Sequence, residues 1–201
     1  MVSQFFKTSD MLRRDRALIT AAAFALLYFE RSFFLYGLPS KAALVEIVDN
    51  VVSVLGGGEP ARLLLLETAA AETDMGNAID RSWFTGIGLM QFDPIGFDDV
   101  KERTPARIKK IVNQYFGIDI DRATINDLRW SPMLSVVFAR LKYRLIPEPI
   151  PKKLISSVPF DIDDPEMIDG RDAYWKRHYN SMAGAGTPEH YVKAAQRNGI
   201  A

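Results

Sequence analysis

The sequence predicts a mainly α fold with one small loop or hairpin segment and an N-terminal helical appendage. Three observations predict it. Apolar residues recur at helical spacing, as in Leu44, Val45, Ile47, Val48, Val51, Val52 and Leu55. Helix-opening signals precede the periodic runs: Ser40, Pro60, Ser131-Pro132 and Thr187-Pro188. A Gly-rich interval with Trp83, Phe84, Phe92 and Phe97 interrupts the helical pattern near the middle. Of 201 residues, 48% are hydrophobic, enough for one sizeable domain or a main domain with an appendage.

The elements follow in order. Asp10 or Ser9 caps a first helix that runs to about Tyr36, where Gly37 and Pro39 stop it. Its Ala17 to Phe29 stretch follows Lys7, Arg13, Arg14 and Arg16. Basic-then-apolar is the order of an export or signal-anchor segment. The run is shorter than the roughly 20 residues that span a bilayer. No small-residue cleavage site follows, since Arg31, Phe33, Phe34 and Tyr36 are bulky. A buried helix and a membrane-associated or export segment are the two readings. Ser40 caps the second helix, and Gly56-Gly57-Gly58 ends it. The third runs from about Glu59 to Asp74, with Pro60 in its first turn and Gly76 beyond its end.

Asn77 to Phe97 reads as a loop or short hairpin. Thr104-Pro105 opens a helix through about Tyr115, and Thr124 or Asn126 a short one. Ser131-Pro132 opens a helix from Met133 to Leu145. Pro147-Glu148-Pro149-Ile150-Pro151 is an extended turn, because proline fixes φ and restricts the residue before it. Asp161 to Pro165 is an acidic loop. Arg171 to Tyr179 is helical, and Thr187-Pro188-Glu189 starts the last helix. The chain divides into residues 1–56, an appendage for docking or a membrane-proximal segment, and residues 57–201, the principal domain.

Composition removes several functions. Lys plus Arg and Asp plus Glu are 25 each, and this neutral balance argues against a nucleic-acid binder. Without cysteine there is no disulfide, thiolate nucleophile or Cys-ligated metal. The two histidines, His178 and His190, have no carboxylate spacing around them that forms a metal site. No metal or cofactor is expected.

The segment LLLLETAAAETDMG, Leu63 to Gly76, carries two glutamates in an apolar helix. Leu63 to Leu66 cover every face, so the helix is expected to be buried on most sides. Glu67 and Glu72 point about 140° apart at about 100° per residue, so they are not a carboxylate pair. Glu67, mid-helix, reads as a buried partner for an arginine such as Arg62, Arg129 or Arg140. Glu72 lies in the last turn. Burial and the negative end of the helix dipole are both expected to keep a proton on it. A general acid needs that property. A structural glutamate bonded to an arginine or to backbone is the competing reading.

Downstream comes Gly86-Ile87-Gly88-Leu89-Met90-Gln91-Phe92. Glu72-Thr73 followed by Gly88-Leu89-Met90-Gln91 resembles the signature of the goose-type lysozyme and soluble lytic transglycosylase superfamily. The longer pattern resembles a group of phage-encoded muralytic proteins. It comprises Ala69-Ala70-x-Glu72-Thr73, Gly86-x-Gly88-Leu89-Met90-Gln91-Phe92-Asp93-Pro94, Ala139-Arg140-Leu141-x-Tyr143-Arg144, Pro147 to Pro151, Tyr174-Trp175-Lys176-x-x-Tyr179-Asn180 and Gly184-x-Gly186-Thr187. The similarity covers about residues 60–195. Tyr179-Asn180 stands where the family has an A-Y-N element, with His178 in place of the alanine. Thr85-Gly86-Ile87 before the motif and Trp83-Phe84 in the loop depart from the family pattern.

The resemblance implies a lysozyme-like helical domain that cleaves the peptidoglycan bond between N-acetylmuramic acid and N-acetylglucosamine. Glu72 would be the catalytic acid. Gly88, Leu89, Met90, Gln91, Tyr179 and Asn180 would line the glycan groove, the glycines by letting backbone approach a sugar and Gln91 through its amide. A lytic transglycosylase needs one acid and yields a 1,6-anhydro sugar. A hydrolytic lysozyme needs a second carboxylate, with Asp93 first and Asp74 or Asp80 after it, although Asp93 beside Pro94 also suits a turn or cap. Trp83, Phe84 and Trp175 suit either sugar stacking or the core. A non-catalytic virion protein with this fold and a membrane-associated helical protein are rivals. The implied setting is a phage virion, as a tail or baseplate part, or an endolysin acting at the host periplasm and cell wall. Residues 1–56 would contact other virion proteins.

Overall fold

Ser40 opens helix α1, Lys41–Leu55, by accepting a hydrogen bond from the Ala43 N–H at 3.1 Å. This satisfies one of the unpaired donors at a helix start. Gly56, at φ 72°, closes it. The computed structural model describes residues 35–78, 86–157, 168–180 and 184–200. The helix expected from Asp10 lies outside these residues except for its end, where Leu35–Gly37 form a 3-10 turn. Asp80, Trp83, Phe84 and the Asp161 to Pro165 loop also lie outside.

Helix α2, Gly58–Thr73, begins one residue before the expected start and has Pro60 in its first turn. Helix α3, Pro94–Arg103, corrects the expectation of a loop through Phe97. Pro94 and Gly96 look like loop residues, but Asp93 caps the helix by accepting from the Gly96 N–H at 2.7 Å. Proline at the first helical position loses no bond. Helix α4, Ala106–Phe116, follows Thr104-Pro105 and ends at Gly117. A 3-10 turn, Ile125–Arg129, starts from a reciprocal Thr124–Asp127 cap. Helix α5, Pro132–Arg144, has Ser131 as its cap. Helix α6, Arg171–Trp175, continues into a π turn, Lys176–Asn180, instead of running unchanged to Tyr179. Helix α7, Pro188–Arg197, is capped by Thr187. The mainly α class is therefore correct. Pairing between extended segments is limited, among the described residues, to isolated bridges at Ile87–Phe92 and Lys153–Gly170.

Helix α2 is the centre, packed against α1, α5, α6 and α7. Leu64, Leu65, Leu66, Ala69 and Ala70 are buried, and Leu63 partly so. Each leucine so buried contributes about 1.5–3 kcal/mol. Leu44, Val48, Val51 and Leu55 of α1 join the same core. Among the described residues, α1 contacts α2 and α5 across residue 56. Two arginines of α5 strengthen this join. Arg140 Nε donates to the Gly56 carbonyl at 2.9 Å and Arg144 to that of Leu55, at the negative end of α1.

Glu67 is fully buried, as its apolar surroundings require, and its partner is Arg171. Nε and Nη2 each reach a different carboxylate oxygen at 2.7 Å, and the Tyr191 hydroxyl donates to Oε2 at 2.9 Å. This fork-on-fork geometry offsets the desolvation of both charges. The three arginines expected from the sequence are engaged elsewhere. Arg62 pairs with Asp49 and Glu59, Arg140 bonds Gly56, and Arg129 bonds Asn126. Among the described residues no helix is long and apolar enough to cross a membrane.

Candidate active site

The last turn of α2 places Glu72 at the rim of the core, partly buried, with Thr73 pointing inward and fully buried. The helix ends in two left-handed residues, Asp74 at φ 52° and Met75 at φ 56°. Aspartate tolerates this region better than most side chains. Asp74 is also held from outside: Arg197 and Asn198 at the end of α7 donate to its Oδ1 at 3.0 and 2.8 Å. Burial acts to raise its pKa, but the bonds from Asn198 and Arg197 outweigh this and leave it lowered. This carboxylate serves the α2–α7 join.

The Gly88 to Gln91 segment of the motif forms a tight turn. Ile87 and Phe92 pair across its base at 2.9 and 3.0 Å. Gly88 has φ 78° and Gln91 φ 47°. The turn is fastened to α2 and to the π turn by two adjacent carbonyls. Thr73 Oγ1 donates to the Leu89 carbonyl at 2.9 Å, and the Tyr179 hydroxyl donates to the Met90 carbonyl at 2.7 Å. Gln91 donates to the Gly88 carbonyl through its backbone N–H and through Nε2, at 3.1 and 2.7 Å. The residue after the glutamate thus joins the two halves of the sequence motif physically.

Several expected groove residues have other duties here. Leu89 and Met90 are fully buried, so their side chains pack in the core. Gly88 has a structural requirement of its own, because a Cβ there would collide with the Leu128 carbonyl. Tyr179 is 7% exposed and its hydroxyl is committed to Met90, which makes it a positioning residue. Asn180 accepts from Lys176 Nζ at 3.0 Å, and Lys176 also donates to the Gly184 carbonyl at 2.8 Å. Asn180 therefore fixes the return of the chain. Gln91 remains half-buried, and its Oε1 has no hydrogen-bond partner. Asp93 caps α3 through Oδ1, the cap role among the two expected for it.

Trp175 was legible in the sequence only as sugar platform or core. It is core, stacked on Tyr191 at 5.0 Å between ring centroids. Its indole Nε1–H also donates to Glu72 Oε1 at 3.2 Å. Residues 103 apart in sequence make this bond, so no local pattern announces it.

The charges around the site are few. The Glu72 carboxylate is close enough to raise the pKa values of Tyr143 and Tyr179, after burial, which raises them most. Lys142 lies on the same side. Burial lowers its pKa, and Asp93, Glu72 and Asp99 oppose that shift in this order. Among the described residues no group of histidine, aspartate and glutamate side chains could hold a metal ion. The chemistry available is that of a carboxyl at a helix end, one oxygen oriented by an indole donor, beside a rigid turn.

Comparison of the chain with protein-family models, curated proteins and solved structures gives no match.

Proposed function

We propose that the chain cleaves the glycan strands of peptidoglycan as a lytic transglycosylase with Glu72 as its single acid and base. The observation that carries this reading is the way Thr73 and Tyr179 seat the Gly88 to Gln91 turn against the helix end that bears Glu72. The motif order that resembles the muralytic family thus corresponds to a spatial cluster. Trp175 supplies orientation to the carboxylate.

In the reaction, Glu72 gives its proton to the oxygen linking N-acetylmuramic acid to N-acetylglucosamine, and the C1–O bond breaks. Positive charge builds on the muramoyl C1 and ring oxygen. The Glu72 carboxylate then takes the proton of the C6 hydroxyl of the same sugar, and O6 closes on C1. The product is a 1,6-anhydro sugar, water is not consumed, and the acid is regenerated. The indole N–H favours the ionised carboxylate and supports the second half of the cycle. Partial burial and the helix end favour the protonated form and support the first. Asp93, the first candidate for a second carboxylate, commits its Oδ1 to the α3 cap, which supports the one-acid reading. The resemblance of the motif set supports a setting in a phage virion or at lysis, with residues 1–56 contributing contacts to a larger assembly.

Cleavage of purified peptidoglycan by wild type and Glu72→Gln, with mass analysis of the fragments, tests the reading. Loss of cleavage in the folded variant together with anhydro ends supports it. Reducing ends replace it with hydrolysis. No cleavage by the folded wild-type chain overturns it.

A further inference from the structure

Lys142 occupies the last turn of α5 but does not extend into solvent. Its Nζ lies 4.3 Å from the centre of the Tyr179 ring and 5.6 Å from that of Phe92. Among the described residues it makes one hydrogen bond, to the Tyr179 backbone carbonyl at 3.2 Å. An ammonium has three donors. None of the ion pairs among the described residues includes it. Lys176, which is buried, makes two bonds, to Asn180 and Gly184. Lys109 and Lys153 each meet a carboxylate. Lys142 differs from these in being half-buried against two aromatic rings with no carboxylate paired to it.

A half-buried ammonium keeps donors on its open side that a ligand oxygen can accept in place of water. The two rings hold it by cation–π attraction and fix its position. Asp93, Glu72 and Asp99 provide a negative field that favours its charge, without forming an ion pair with it.

The geometry points to Lys142 as the subsite for a carboxylate of the bound glycan, next to Glu72. This rests on the glycan-cleaving reading. Peptidoglycan offers such a group in two places. The lactyl ether of the muramoyl sugar ends in a free carboxylate once the peptide is removed. The stem peptide carries its own carboxylates when present. Oligomers of N-acetylglucosamine have neither. Lys142 would thus distinguish muramoyl strands from neutral chitin-like chains.

The test measures affinities by calorimetry on the full chain carrying Glu72→Gln, which prevents turnover. The probes are peptide-bearing glycan strands, the same strands freed of peptide by an amidase, and a neutral N-acetylglucosamine oligomer. The parent should bind the charged strands more tightly than the neutral oligomer. Adding Lys142→Met keeps an apolar stem against the rings and should weaken charged strands by about 10- to 100-fold, the loss typical of a charge-assisted hydrogen bond. It should leave the neutral oligomer unchanged. Lys142→Arg should restore most of the difference. Lys142→Gln repeats the test if the methionine variant does not fold by circular dichroism. The strand type that loses affinity identifies the lactyl or the stem carboxylate. Equal weakening of all three probes, or no weakening, overturns the Lys142 assignment and leaves the glycan reading intact. Absence of binding to every probe by both the parent and the wild type overturns both.

Discussion

The indole N–H of Trp175 donates to Oε1 of Glu72 at 3.2 Å, across 103 residues of sequence. A tryptophan that is 1% exposed places its single polar atom on the carboxylate that ends α2. Trp175→Phe keeps the ring stacked on Tyr191 and removes only the donor and some volume. If Trp175 orients the reacting carboxylate, kcat on peptidoglycan should fall about 10-fold or more with KM little changed, as for loss of a bond to a charged group. Steady-state kinetics read this directly. A change confined to KM would make Trp175 a packing residue.

Thr73 and Tyr179 act on neighbouring carbonyls of one turn, so their removal should not be additive. Thr73→Val leaves the buried Leu89 carbonyl without its donor and should cost about 1–3 kcal/mol in urea unfolding. Thr73→Ser, which keeps the hydroxyl, should cost less. Tyr179→Phe removes the bond to Met90. The double variant should show a coupling of about 0.5 kcal/mol or more, because either bond alone still anchors the turn.

Most helices were readable because their ends are marked locally: Ser40, Ser131 and Thr187 each cap the helix expected after them. Helix α3 was missed because Asp93-Pro94-Ile95-Gly96 carries turn residues that also suit a helix start. The switch from α6 to a π turn at Lys176 has no local signature in the sequence. The motif residues Glu72, Thr73 and Gly88 to Gln91 were readable as a set. Their division of labour was not, because it depends on contacts from distant segments. Lys142 looked like an ordinary helical cation, and only the arrival of Phe92 and Tyr179 buries it.

Gly88 allows a structural reason for a motif glycine to be separated from a sugar-binding one. Its φ is 78°, and an added Cβ would meet the Leu128 carbonyl. Gly88→Ala therefore combines backbone strain with a collision against rigid backbone. It should destabilise the protein on the order of 2–3 kcal/mol. If its role were only to admit a sugar, stability would be unchanged and KM alone would rise. Thermal unfolding alongside kinetics separates these outcomes.

Glu67 and Arg171 are buried together, and the cost of breaking the pair should exceed that of replacing it. Glu67→Gln leaves the guanidinium, 4% exposed, without its counter-charge. The expected loss is about 3–5 kcal/mol. Glu67→Met with Arg171→Met removes both charges and should be markedly less destabilising than the two single changes summed. Denaturant unfolding of the four proteins gives the cycle. Additive costs would show that Arg171 is held by the Pro151 and Lys152 carbonyls instead.

His178 makes stability depend on pH. Its Nε2 is buried without a hydrogen-bond partner, and its ring lies 4.6 Å from that of Tyr174. Burial, chiefly, and the charge of Arg177 lower its pKa from 6.5, while Glu148 acts in the opposite direction. The folded form thus resists a proton that the unfolded chain accepts. Stability from this group is fully present above pH 6.5. It is lost as pH falls from that value through the lowered folded one. Replacing His178 by phenylalanine keeps an aromatic ring beside Tyr174 and removes the titration. Wild type should lose stability relative to His178→Phe as pH falls below 6.5, seen as converging or crossing unfolding midpoints. Parallel midpoints over that range would mean that the histidine takes up its proton in the folded protein as readily as in the unfolded chain.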